Sequence, residues 1–288
     1  MNILVSGATG LVGSSLGLAL RGLRHDVQAL VRGTDWMPET GELKLLLKPD
    51  AFIHLAGESI ASKRWSRRQK ERIRSSRVET TERLARSLLA LDHPPHVFVS
   101  ASAIGYYGDR GEELLTEESS RENGFLSQVV ADWEAASRLL ETAGIRVVHL
   151  RFGMILSRQG GALPRMLTPF KLGLGGPVGN GQQWVSWVAL PDVVGAVLWA
   201  LNNDVGGPLN IVSPHPVRNA EFTRELAKAL HRPAFVPVPP FVLRLAFGEM
   251  ADALLLSSLR VVPARLLDGG FQFRYAQIRQ ALHSALVD

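Results

Sequence analysis

The residues with the plainest chemistry stand at the start of the chain, where Gly7, Gly10 and Gly13 recur at every third position in Ser6-Gly7-Ala8-Thr9-Gly10-Leu11-Val12-Gly13. That chemistry is the recognition of a phosphate. Gly7 permits a tight turn, Gly10 lets backbone N–H groups approach a pyrophosphate, and Gly13 lets the following helix pack closely on the preceding strand. A plain strand-to-helix turn uses the same residues, but the apolar run before it and the helical pattern after it favour a dinucleotide. A second group stands at the end of the next apolar run, Val31-Arg32-Gly33. An NAD site places a carboxylate there for the ribose hydroxyls, whereas the guanidinium of Arg32 suits a 2′-phosphate. The pattern predicts NADP(H) rather than NAD, with a surface arginine as the alternative.

Other chemistry is excluded by what the sequence lacks. The 288 residues contain no cysteine, which removes thiolate catalysis, thiol redox switching and cysteine-ligated zinc. The eight histidines offer only His93-Pro94-Pro95-His96 as a paired spacing, a surface linker rather than a ligand set, so no metal is expected. Net charge is +5, and much of the basic excess falls between Lys63 and Arg77. Such a run reads as the solvated face of a helix. Only Trp65 interleaves with it, so no nucleic-acid partner is expected. The chain opens on Met-Asn-Ile-Leu-Val without a basic leader, and no apolar stretch is as long as a bilayer span. The expectation is a soluble, cytoplasmic protein with no membrane partner, acting on a small molecule; its oligomeric state is not readable.

The elements that must position the phosphate turn alternate regularly. Apolar runs at Ile3–Val5, Val27–Val31, Ala51–Leu55, Val97–Ser100 and Val147–Leu150 read as strands. Between them lie helical patterns at 11–20, about 66–91 and about 126–143. Strands this uniformly apolar are covered on both faces, which means a parallel, doubly wound α/β sheet. Glycines break the chain into shorter pieces beyond Gln159. The division expected is a nucleotide-binding domain over residues 1–158 and a smaller C-terminal lobe over 159–288 closing on the strand ends, some of whose segments return to the sheet.

The glycine spacing, His54-Leu55-Ala56-Gly57 and Ser100-Ala101-Ser102-Ala103-Ile104-Gly105-Tyr106-Tyr107-Gly108 together resemble the extended short-chain dehydrogenase/reductase superfamily. More narrowly, Leu55-Ala56-Gly57-Glu58, Arg64-Trp65, Trp133-Glu134, Gly173-Leu174-Gly175-Gly176-Pro177 and Gly270-Phe271 resemble its atypical branch of epimerase family proteins, end to end. The resemblance implies a Rossmann-type NADP(H)-binding lobe and a small C-terminal domain of undefined role. It places cofactor contacts at Thr9, Gly10, Leu11, Val12, Val31, Arg32, Leu55, Ala56, Gly57, Arg77 and Ile155. Leu55 and Ala56 read equally as core packing.

Members of the superfamily that move hydride use Tyr-x-x-x-Lys with a serine that polarises the substrate oxygen. Aligned on Trp133-Glu134, this chain has Phe125-Leu126-Ser127-Gln128-Val129-Val130, with neither tyrosine nor lysine, and Arg77 replaces the superfamily's asparagine. Ser102 keeps the serine position, and Tyr106 and Tyr107 follow it. These three are the candidate catalytic residues, with Ser102 tied to backbone and the tyrosines packing a loop as the alternatives. Glu58 and Trp187 are candidate cleft residues, although Glu58 also reads as a helix-start carboxylate. A reductase or epimerase-like enzyme and a non-catalytic NADP(H)-binding regulator both fit.

Overall fold

The computed structural model describes residues 1–287. Its centre is a sheet of β1 (Asn2–Ser6), β2 (Asp26–Leu30), β3 (Ala51–His54), β4 (Val97–Ala103), β5 (Arg146–Phe152) and β6 (Gly207–Ile211). All pairings are parallel and the order across the sheet is β2-β1-β3-β4-β5-β6. Alternation along each strand sends side chains to two separate cores. Ile3 and Val5 join Leu16 and Leu20 of α1 (Leu11–Gly22) and Val193 and Val197 of α7 (Leu190–Asn202). Leu4, Phe52 and Phe98 point the other way, onto Leu84 and Leu88 of α3 (Val78–Leu89). Each of these fully buried side chains contributes about 1.5–3 kcal/mol of transfer free energy.

Two long helical patterns are broken. The one expected over 66–91 divides into α2 (Arg67–Ser75), begun by Ser66 whose hydroxyl accepts from the backbone N–H of Gln69, and α3, with Arg77 at the joint. The second divides into α4 (Phe125–Ala135) and the short α5 (Arg138–Thr142). The sheet does not end near residue 158, because α7 covers it and β6 completes it from beyond that point. Pro208 obscures β6 in the sequence, yet proline is tolerated at an edge, where one side of the strand feeds no ladder.

The C-terminal lobe packs α6 (Leu163–Lys171), α8 (Asn219–Leu230) and α9 (Ile278–Val287) around Leu167, Phe170, Phe222, Leu226 and Leu282. Trp187 sits among them, fully buried, with Nε1 donating to the His215 carbonyl. It therefore lines no cleft, because an indole this large fills the lobe's core instead. The basic run is also less solvated than its composition suggests. Lys70 pairs with Glu249 and lies 5.0 Å from the centre of the Phe125 ring, while Arg74 pairs with Asp132 at 3.1 Å. Among the described residues no helix is long and apolar enough to cross a membrane, and no cluster of ligating side chains is arranged for a metal.

Candidate functional site

Every strand of the sheet ends on the same edge, and the chain reverses its direction of winding between β1 and β3. A crevice opens outside the strand ends at such a switch point. The glycine turn leaves β1 there, and Leu55-Ala56-Gly57 leaves β3 beside it. Gly7 adopts φ +73°, and a Cβ built on it would lie 2.7 Å from the Ala56 nitrogen and the Leu55 carbonyl carbon. A Cβ on Gly13 would lie 2.2 Å from the Gly7 oxygen. Neither position admits any other residue, so the two loops and the helix are closed on one another through bare backbone.

Gly10 donates its N–H to the Gly7 carbonyl at 3.0 Å and starts α1 as its N-cap. No side chain caps this helix and no acidic residue stands in its first turn, so its leading N–H groups and the positive end of its dipole are left for an anion. Leu11, at the head of the helix, packs beside Gly160 and Gly161, and the Ile155 carbonyl approaches Gly161. Arg77, at the joint of α2 and α3, reaches back over Gly57 and donates to the Ile73 carbonyl at 3.1 Å. Burial lowers the Arg77 guanidinium to about 10, with the charge of Glu58 opposing the shift.

Beyond β2 lies a cavity of about 270 Å³ lined by Arg32, Arg72, Arg83, Ser75, Ser76 and Glu58, among others. Arg32 is thus brought together with Arg72, which sequence reading left among solvated charges, and with Arg83, which it did not single out. Glu58 belongs to this end: Gln69 Nε2 donates to its Oε1 at 3.3 Å and its backbone N–H donates to Ser76 Oγ at 3.2 Å. It lines the same cavity as Arg32, and its hydrogen bonds run to α2 and Ser76 rather than to the hydroxyls of the Ser102 segment.

The hydroxyls are disposed differently from the expectation. Ser102 is 3% exposed and its Oγ donates to Glu134 Oε1 at 2.6 Å. Glu134 in turn receives Arg151 Nε and Nη2 at 2.8 Å each. Arg151 Nη1 donates to the Tyr107 hydroxyl at 2.9 Å, and that hydroxyl donates to Asn210 Oδ1 of β6 at 2.8 Å. Tyr107 is wholly buried, and burial raises its phenol to about 12 against the opposing charge of Arg151. It anchors the edge strand and is out of reach of a substrate. For Arg151 desolvation acts downward, but the hydrogen bonds and charge of Glu134 outweigh it and the net direction is up.

Tyr106 is half-buried, its ring centre 3.6 Å from the Arg151 guanidinium carbon. Among the described residues its hydroxyl has no hydrogen-bond partner. Ser102 and Tyr106 are therefore joined through one buried ion pair, which the sequence reading missed. Its signal was present: an arginine inside the apolar strand Val147-Val148-His149-Leu150-Arg151-Phe152 must be paired to be buried. His54 is a second such case, 1% exposed, with Nδ1 bonded to Ser6 Oγ at 2.6 Å and Nε2 without a partner. Burial lowers its pKa to about 4.

Residues 3–212 match the model of the NAD dependent epimerase/dehydratase family, and residues 238–285 match a domain of unknown function, DUF1731. The chain is 39% identical to an epimerase family protein of Mycobacterium leprae, over 98% of this chain and 95% of that one. It is 40% identical to the mouse epimerase family protein SDR39U1, over 98% of each. Among solved structures, human SDR39U1 (isoform 2) with NADPH superposes with a TM-score of 0.94 at 35% identity, covering 100% of both chains.

Proposed function

Because the chain belongs to the NAD dependent epimerase/dehydratase family, we propose that it is an atypical NADP(H)-dependent oxidoreductase acting on a small carbonyl or sugar-nucleotide substrate. The carrying observation is the closed glycine turn at the switch point, whose helix end has neither a capping side chain nor an acid. Thr9, Gly10, Leu11 and Val12 hold the pyrophosphate; Leu55, Ala56, Gly57, Arg77 and Ile155 border the crevice. Arg32 receives the 2′-phosphate with Arg72 and Arg83 lining the same cavity. When bound, the cofactor supplies or accepts a hydride.

The chain's own groups give the reaction a direction. Ser102 has committed its proton to Glu134, so it presents lone pairs and receives a hydrogen bond from a substrate hydroxyl rather than polarising a carbonyl. Tyr106 has its hydroxyl free and is the proton donor to the carbonyl oxygen. The cation beside its ring is Arg151 rather than a lysine. A donor without the Tyr-x-x-x-Lys base favours reduction over alcohol oxidation. A hydroxylated aldehyde or ketone satisfies both groups.

NADPH consumption against a panel of aldehydes, hydroxyketones and keto-sugars tests this, with Tyr106→Phe as the paired variant. Loss of the donor lowers turnover by about 10². An unchanged rate in Tyr106→Phe removes that residue from the chemistry. The second reading, a non-catalytic NADP(H)-binding regulator, draws on one observation: Ser102 and Tyr107 spend their hydroxyls inside the protein. Tight NADPH binding without turnover across the panel selects it.

A further inference from the structure

Away from the crevice, the C-terminal lobe carries a surface that neither the cofactor nor the crevice residues use. The loop after α6 exposes Leu172 and Leu174, 69% and 61% accessible, and the segment after α8 exposes Phe235 at 78%. Backbone bonds bind the two segments side by side: Val236 N–H donates to the Gly175 carbonyl and Val238 N–H to the Pro177 carbonyl. A Cβ on Gly176 would lie 1.7 Å from the Val236 oxygen, so this ledge is closed as tightly as the glycine turn. The apolar tips are held out by the fold, where water would otherwise favour their burial.

Next to the ledge lies an open groove of about 570 Å³ lined by Arg224, Lys228, His231, Arg232 and Phe235, among others. The carboxylate beside it, Glu225, is 8% exposed and already receives Lys228 at 2.8 Å and Arg279 at 3.1 Å, with Arg224 at 3.7 Å. Three cations share one buried acid, and Arg232 adds to them in the same groove. The surface is thus strongly positive with apolar points standing proud of it. We propose that this ledge and groove form a peripheral docking surface for an anionic lipid bilayer, the cations meeting headgroup phosphates while Leu172, Leu174 and Phe235 enter the interfacial layer. The protein lies on the membrane and does not span it.

Charge decides the occupant. A second copy docked by a two-fold axis would set this patch against itself, opposing the same cations, and the acid among them, Glu225, is already paired. A bilayer rich in anionic headgroups supplies the missing negative charge along a plane, and apolar tips at loop ends match its interface.

The full-length protein is mixed with sedimentable vesicles of phosphatidylcholine alone, or containing about one-third phosphatidylglycerol. Binding is expected to the anionic vesicles only, and to weaken as salt rises from roughly 0.05 to 0.3 M. Lys228→Glu with Arg232→Glu should lower the affinity by at least about tenfold. Leu174→Ser with Phe235→Ser should lower it while leaving the salt dependence in place. Circular dichroism and NADPH binding, both read out elsewhere in the molecule, establish that each variant is folded. No binding to anionic vesicles at low salt overturns the proposal, as does binding that neither pair of substitutions weakens. A dimer in sedimentation velocity that Leu174→Ser with Phe235→Ser dissolves, without vesicle binding, transfers the surface to a second copy and overturns it as well.

Discussion

Glu134→Gln isolates the buried ion pair that joins Ser102 to Tyr106. The carboxylate accepts three hydrogen bonds, from Ser102 Oγ at 2.6 Å and from Arg151 Nε and Nη2 at 2.8 Å. An amide offers one acceptor oxygen and turns an NH2 towards a guanidinium that has only donors. Arg151 keeps its charge with its side chain 4% exposed, and removing one partner of such a pair costs about 3–5 kcal/mol. For a chain of this size that is a fall in Tm on the order of 10 °C. Urea unfolding followed by circular dichroism measures it directly, as a lower midpoint at unchanged slope. The double variant Glu134→Met with Arg151→Met should recover much of the loss, because it removes the stranded charge along with its partner. A loss below about 1 kcal/mol in Glu134→Gln would falsify the argument, and so would a double variant no more stable than the single one. The pair also carries Tyr106 on its guanidinium face, so turnover should fall in Glu134→Gln at temperatures where the protein is still folded.

His54 remains neutral in the fold and titrates near 4, against 6.5 for a free imidazole. The unfolded chain therefore binds the extra proton first: stability is full above about pH 6.5, falls as pH drops towards 4, and loses roughly 3 kcal/mol over that window. The urea midpoint of wild type should fall relative to that of His54→Gln as pH drops from about 6.5 towards 4; parallel curves would remove His54 as the cause. Gly13→Ala forces a methyl group against the Gly7 carbonyl, and should cost about 1–3 kcal/mol of stability and weaken NADPH binding in a fluorescence titration. Arg32→Asp should weaken NADPH strongly and leave NADH little changed or improved, with Arg83→Ala a smaller change in the same direction; equal losses for both cofactors would mean that Arg32 acts structurally.

The sequence by itself determined what depends on neighbours along the chain. The steric demand at Gly13 is met within one turn and one helix, whereas Gly7 is closed by Leu55 and Ala56 of a distant loop; the uninterrupted apolar runs required a sheet covered on both faces. Arg32, at the end of β2, follows from the same local logic. The role of each hydroxyl did not, because it depends on which group arrives from elsewhere. Ser102 meets Glu134 across 32 positions, and Tyr107 meets Asn210 across 103. The first contact turns a serine expected to donate into an acceptor, and the second removes a tyrosine from the site altogether. Trp187 is decided likewise by the helices that close round it. A hydrogen bond has a sense and a buried charge needs a partner, and neither is written beside the residue that requires it; only the packed tertiary structure supplies both.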